Sequence, residues 1–231
     1  MLAESAKNLV PKFFDETGTT YDGVVSYGTL GKDKYWKRKM LEQISDGSYF
    51  LDLACGTGIL TREIAKKFSN AKIVGIDITK SYLDVAKQNS DSFDNISFVL
   101  DDAEKFKLDS KFDCITGSYL PKYCDPEILV KNCIVHLKPG GKIIFHDFTY
   151  PKNPIVRGAV ELLSYFPKIG GMFHSKLEGC ANRATKINSK NQMAGQLFRC
   201  NEEKWVEGQP PISYIRCSSH LNWYKISIVY F

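Results

Sequence analysis

The residues best placed to do chemistry gather around two glycines. Asp52-Leu53-Ala54-Cys55-Gly56-Thr57-Gly58 ends an apolar run in a glycine pair. Glycine lets the backbone turn tightly and approach a ligand closely, because a Cβ there would collide with it. Asp77 stands 21 residues after Gly56, where a carboxylate can accept hydrogen bonds from both hydroxyls of a ribose. Asp101-Asp102-Ala103 offers a carboxylate and a backbone N–H to a purine edge. Together these features point to a nucleoside-type cofactor. The glycine pattern narrows it: no third glycine stands where a dinucleotide site needs one, and no Gly-Lys-Ser/Thr follows for a Walker loop.

Those residues have to be carried by strands and helices, and the chain reads as an alternation of the two from Ser48 onward. Strands are expected at Tyr49–Leu53, Lys72–Asp77, Ile96–Leu100, Phe112–Thr116 and Lys142–Asp147. Helical spacing falls between them, at Ile59–Phe68, Lys80–Asn89 and Ile128–Leu137. Pro139-Gly140-Gly141 is expected to be a turn. Repeated β–α alternation implies an α/β fold, a doubly wound and mostly parallel sheet with helices on both faces. In such a sheet ligands sit beyond the carboxyl ends of the strands, where the glycine loop lies.

Composition sets the outer bounds. The chain has 231 residues, enough for one α/β domain with decoration. No apolar run approaches the roughly 18 residues of a membrane span, and the first ten residues lack the apolar stretch of a secretory leader. Seven cysteines without a Cys-x-x-Cys pair argue against a disulfide framework and a zinc site, so reduced thiols in a cytoplasmic protein are expected, with no metal. The net charge of +5 is uneven: residues 1–170 hold 23 basic and 22 acidic side chains, residues 171–231 hold 8 and 4. The body therefore carries no polyanion-binding signature, and no nucleic-acid partner is expected.

An apolar strand, an acidic residue and G-x-G form a set that resembles the class I S-adenosylmethionine-dependent methyltransferases. The resemblance narrows over residues 13–170. Phe14-Asp15, Tyr21-Asp22, Ser26-Tyr27-Gly28 and Tyr35-Trp36-Lys37-Arg38 are similar to the N-terminal signature of the ubiquinone/menaquinone biosynthesis C-methyltransferase family. Leu51-Asp52-Leu53-Ala54, Asp102-Ala103-Glu104, Phe112 to Thr116 with Ser118, and Leu137-Lys138-Pro139-Gly140-Gly141 also match. The resemblance implies the Rossmann-like class I fold, S-adenosyl-L-methionine as cofactor and a small-molecule acceptor. Its implied cofactor contacts are Asp52, Gly56, Thr57, Gly58, Asp77, Ile78, Asp102, Ala103 and Ser118, with Tyr21 closing over the sulfonium end. Three segments follow: a substrate-side cap at 1–45, a cofactor-binding core at 46–170 and a tail at 171–231.

Two substrate-side segments depart from the family. Tyr119-Leu120-Pro121-Lys122 replaces an apolar residue, Gly and Arg-Asn, and His146-Asp147-Phe148 replaces a Glu-Phe pair. Methylation of a phenolic ring carbon or an acidic oxygen is helped by a base. His146 is the foremost candidate, since a neutral imidazole is available near pH 7, with Asp147 beside it and Tyr119 as a ring-facing wall. The bland reading of His146 is a satisfied polar residue at a strand end. His136, mid-helix, is expected to be structural, and Cys55 a small filler rather than a nucleophile. Trp36 with Tyr35 reads first as a helix cap, with a substrate box as the alternative. Lys37-Arg38-Lys39 reads as a solvated face, with an anionic lipid surface as the alternative.

The tail lacks the helix, the Lys-x-Gly-Phe-like turn and the two antiparallel strands that the resemblance implies. Back-translated from Asn188 and read one nucleotide forward, it permits an amphipathic helix and a Lys-x-Gly turn; a diverged tail is the alternative. A frameshift within residues 170–190 follows as the expectation, and with it a sheet lacking its last antiparallel strands. Besides a small-molecule methyltransferase, two functions compete: a cofactor-binding scaffold subunit without activity, and a nucleic-acid methyltransferase, which the missing Asn/Asp-Pro-Pro-Tyr disfavours.

Overall fold

A computed structural model describes residues 22, 23, 26, 29, 31–147, 212–216 and 223–230. In chain order the elements are α1 (Asp33–Gln43), β1 (Tyr49–Leu53), α2 (Ile59–Lys67), β2 (Lys72–Asp77), α3 (Lys80–Gln88) and β3 (Ile96–Leu100). Then come β4 (Phe112–Ser118), a 3-10 turn (Pro121–Tyr123), α4 (Pro126–Val135), β5 (Leu137–Asp147), β6 (Ile212–Arg216) and β7 (Trp223–Tyr230). The strands form one sheet in the order β3-β2-β1-β4-β5-β7-β6. The first five are parallel throughout, so the order reverses between β1 and β4. That reversal is the switch point at which open α/β sheets take ligands.

Alternation along the strands gives the sheet two apolar faces. Leu51, Leu53, Ile115, Ile143 and Phe145 pack with Leu129, Val130 and Cys133 of α4. Phe50, Cys114 and Ile144 point the other way, against Met40 and Ile44 of and just after α1 and Leu60, Ile64 and Ala65 of α2. The period of two carries Asp52, Thr116 and His146 onto this second face, beyond its apolar part. The polar end of that face is where the site is built.

Local chemistry sets the element ends. Asp125 caps α4 by accepting the N–H groups of Glu127 and Ile128, with Pro126 at the first helical position. Lys67 Nζ donates to the Leu41 and Ile44 carbonyls at the end of α1, at 2.7 and 3.2 Å, supplying charge where the helix dipole is negative. Pro139-Gly140-Gly141, expected to be a turn, instead lies within β5 as a bulge-like irregularity: pairing with β4 passes from Phe112↔Leu137 directly to Cys114↔Lys142. Gly140 takes a φ of +78° there.

The tail corrects the expectation of a sheet lacking its last strands. β7 runs parallel to β5, from Lys142↔Lys225 to Asp147↔Tyr230. β6 then pairs antiparallel with β7, so of the two only β6 opposes the other strands. The physical reason is period-two alternation in Trp223–Tyr230 and β-favouring residues in Ile212–Arg216, which suffices for pairing at an open edge without a preceding helix pattern. The boundary at 170/171 lies outside the described residues.

Candidate functional site

The glycine loop leaves β1 in unusual backbone. Ala54 and Gly56 take φ values of +52° and +55°, and Gly58 one of +77°. A Cβ on Gly56 would meet nothing nearer than Tyr82 at 3.9 Å, so the loop backbone at Gly56 faces open space, as a cradle for a ligand requires. Gly58 is different: a Cβ there would lie 3.1 Å from Arg62, 3.2 Å from Phe98 and 3.3 Å from Ala86. One glycine serves approach, the other close packing of helix on strand. Arg62 Nη1 donates to the Thr57 carbonyl at 2.8 Å, bracing the turn.

Asp77, only 7% exposed, accepts the Gly56 N–H through Oδ2 and the Thr79 N–H through Oδ1, both at 2.8 Å. It thereby joins the end of β2 to the glycine loop. Burial pushes its carboxyl upward, while the backbone N–H groups of Thr79, Gly56 and Ile78 pull it back. Ile78, next along the chain, is half-buried. Asp102 accepts the Glu104 N–H at 2.9 Å, which shapes the turn that presents buried Ala103. The open cradle and these acceptors fit a ribose and a purine.

Asp52, expected as a cofactor contact, sits under the glycine loop. It is 1% exposed, and its two oxygens accept the hydroxyls of Thr61 and Thr116 at 2.7 and 2.8 Å. It therefore ties β1, β4 and α2 together. Burial raises its carboxyl pKa, against the two hydroxyls and the positive charge of Lys37. Thr57 is buried too, its hydroxyl donating to Asp22 at 2.6 Å, which ties Asp22 to the glycine loop. Tyr21 lies outside the described residues.

The acceptor-side candidates come together at the ends of β4 and β5. Ser118 pairs with His146 in the sheet, and Ser118 Oγ lies 3.1 Å from His146 Nδ1. Tyr119 follows with φ +61°, a conformation that costs a bulky residue about 1–3 kcal/mol. Its N–H donates to the His146 carbonyl at 2.7 Å, and its ring lies 4.8 Å from the imidazole. His146 has no exposed surface, being covered by Tyr119 and by Trp36 at 5.6 Å. Asp147 is 6% exposed.

Sequence reasoning missed what α1 contributes. Trp36 is not a cap but 8% exposed and turned onto His146. Asp33, 5% exposed, accepts the Tyr119 hydroxyl at 2.8 Å and forms an ion pair with Lys37. Lys37 also lies 5.4 Å from the centre of the Tyr119 ring, so it is not part of a solvated face. The signal was available: Asp33, Trp36 and Met40 share one helical stripe, and a carboxylate on a buried stripe demands a partner.

Two expectations are met elsewhere. His136 is structural, with Nδ1 against the Asn132 carbonyl at 2.8 Å and Nε2 accepting the Leu108 N–H at 3.2 Å. Cys55 is buried, and burial with the nearby Asp77 and Asp52 charges pushes its thiol well up, which makes it inert filler. Among the described residues no cluster of His, Cys, Asp and Glu could hold a metal ion. No described helix is long and apolar enough to cross a membrane. A cavity of about 310 Å³ opens at the opposite end of the sheet, by Asp46, Asp113 and Lys138. Lys138 is engaged there by both Asp113 oxygens.

Comparison with known proteins agrees with this geometry. The ubiE/COQ5 methyltransferase family matches residues 2–189. A demethylmenaquinone methyltransferase of Clavibacter sepedonicus is 27% identical over 213 residues, covering 90% of this chain and 81% of its own. A ubiquinone/menaquinone biosynthesis C-methyltransferase UbiE of Hahella chejuensis is 31% identical over 173 residues, covering 71% and 70%. In fold, the chain is similar to phosphoethanolamine N-methyltransferase 1 of Haemonchus contortus, solved with phosphoethanolamine and S-adenosylhomocysteine. That similarity has a TM-score of 0.53 at 20% identity, over 62% of this chain and 32% of the other. The chain belongs to the ubiE/COQ5 methyltransferase family and is an S-adenosylmethionine-dependent methyltransferase of small molecules.

Proposed function

We propose that the chain methylates a ring carbon of a hydroquinone-type acceptor, of the demethylmenaquinone or ubiquinone-precursor class. The relatives' names support that acceptor class. The observation that carries it is the aromatic setting at the carboxyl ends of β4 and β5, where Trp36 and Tyr119 border the ring of His146. When bound, the cofactor supplies an electrophilic methyl group on its sulfonium.

The chain's own residues do the rest by placement. Gly56, Thr57 and Gly58 offer backbone to the cofactor, Asp77 takes the ribose hydroxyls, Asp102 and Ala103 the purine edge, with Ile78 and Tyr21 as flanking contacts. Ser118 at the edge of this set holds His146 Nδ1, leaving the imidazole as the group that accepts the acceptor's proton, with Asp147 as its charged neighbour. Fixing methyl and acceptor in line contributes roughly 7–11 kcal/mol to lowering such a barrier. The setting we infer is cytoplasmic, with Tyr35 and Arg38 on the outer face of α1 able to touch an anionic lipid surface.

The test is transfer of radiolabelled methyl from S-adenosylmethionine to a detergent-dispersed demethylmenaquinol. Label on a ring carbon of the product is expected. Label confined to hydroxyl oxygens, or to none of the quinol, would overturn the reading.

A further inference from the structure

We propose that Asp33 and Lys37 form a binding site for the hydroxyl of a phenolic acceptor, and that Tyr119 competes for that site from within the chain. The ligand class rests on the acceptor reading above; the site rests on geometry alone. A phenol is already bound there. Tyr119 donates its hydroxyl to Asp33 Oδ1 at 2.8 Å, Lys37 meets the same oxygen and lies over the same ring, and Trp36 and His146 border it.

Three features say that this arrangement is more than packing. The Asp33–Lys37 side chains are only 8% and 12% exposed, and a buried ion pair contributes little to stability against the hydrophobic alternative. Tyr119 meets Asp33 from a left-handed backbone, so the chain holds a strained conformation at the residue whose hydroxyl the carboxylate takes. The pair also lies at the carboxyl ends of β4 and β5, because its partner Tyr119 directly follows β4 and donates its N–H to the His146 carbonyl of β5. An acceptor hydroxyl that takes the place of Tyr119 gains the same carboxylate and ammonium, while the displaced ring uncovers His146. Tyr119 is thus a competitor of the acceptor, and Asp33 a binding residue for it.

Removing the competitor and removing the site must then act in opposite directions. The experiment is absorbance titration of the full chain, saturated with S-adenosylhomocysteine, with nitrohydroquinone as probe. Tyr119→Phe is expected to bind the probe about tenfold more tightly than wild type, and Asp33→Asn about tenfold more weakly, the scale of one hydrogen bond to a charged group. Asp33→Glu, which keeps the charge, is expected to stay within about threefold, again less than one such bond. Unchanged S-adenosylmethionine affinity in each variant shows that the fold has survived. Equal or weaker binding by Tyr119→Phe, or no binding by any form, overturns the site. Binding in the expected order without methyl transfer to demethylmenaquinol would sink the acceptor reading and leave the site standing. Methyl transfer without that order does the reverse.

Discussion

The two ends of the candidate site are held by different means. At the cofactor end the ties are mostly to backbone: Asp77 to the Gly56 and Thr79 N–H groups, Arg62 to the Thr57 carbonyl. At the acceptor end they run between side chains, Asp33 to Tyr119 and Lys37, Ser118 to His146. Backbone ties depend on conformation and survive many substitutions, whereas side-chain ties are remade by one. A cofactor shared by many enzymes suits the first kind of site, and an acceptor particular to one enzyme suits the second.

The contrast can be broken most sharply at Asp77. Asp77→Ala removes the clamp on the loop and the proposed acceptor of ribose hydroxyls, so S-adenosylmethionine affinity by calorimetry is expected to fall about 100-fold. Nitrohydroquinone affinity should be unchanged; a parallel loss would show that the two ends are one unit. Gly58→Ala probes the same end through backbone. A methyl group there strains a left-handed residue and crowds Phe98 and Ala86, so chemical denaturation should show a loss of about 1–3 kcal/mol. A neutral substitution would mean that the loop adapts more freely than its contacts suggest.

The smallest effect belongs to Asp113, far from either end. Burial works against its charge, but the Lys138 ammonium and the Ser48 and Tyr49 N–H groups together hold its carboxyl below the usual carboxylate range. Its folded pKa is thus depressed. The stability it contributes is present above the unfolded value and is lost as pH falls through the folded one. Unfolding measured across that acidic window should be less steep in Asp113→Asn, by no more than about 1 kcal/mol given the exposure of the pair. Both ligand affinities should remain as in wild type, which makes this variant the control for the other two.

The same division explains what could be read in advance. β1, β2 and β3 fall at the expected residues, because each is an apolar run bounded by turn chemistry. Asp77 was legible because the strand–loop–helix–strand unit fixes its distance from the glycines. Asp33 was not, since its partner Tyr119 is 86 residues away and no local pattern announces such a pairing. The protein partners of Asp52 were hidden for a related reason: nothing in its own segment tells that Thr116 of β4 lies opposite. The tail misled differently, because its irregular composition hid alternation short enough for single strands.

The pairing of β5 with β7 carries a consequence in time. During synthesis β5 emerges with one edge matched by β4, but Lys142 waits for Lys225, and Asp147 for Tyr230. An apolar strand with a bare edge is a template for a wrong partner, and pairings distant in sequence form late. The core can therefore assemble around β4 well before its far edge is covered. Between those two moments a nascent chain displays an open strand through much of its translation, which is when a folding chaperone would have most to shield.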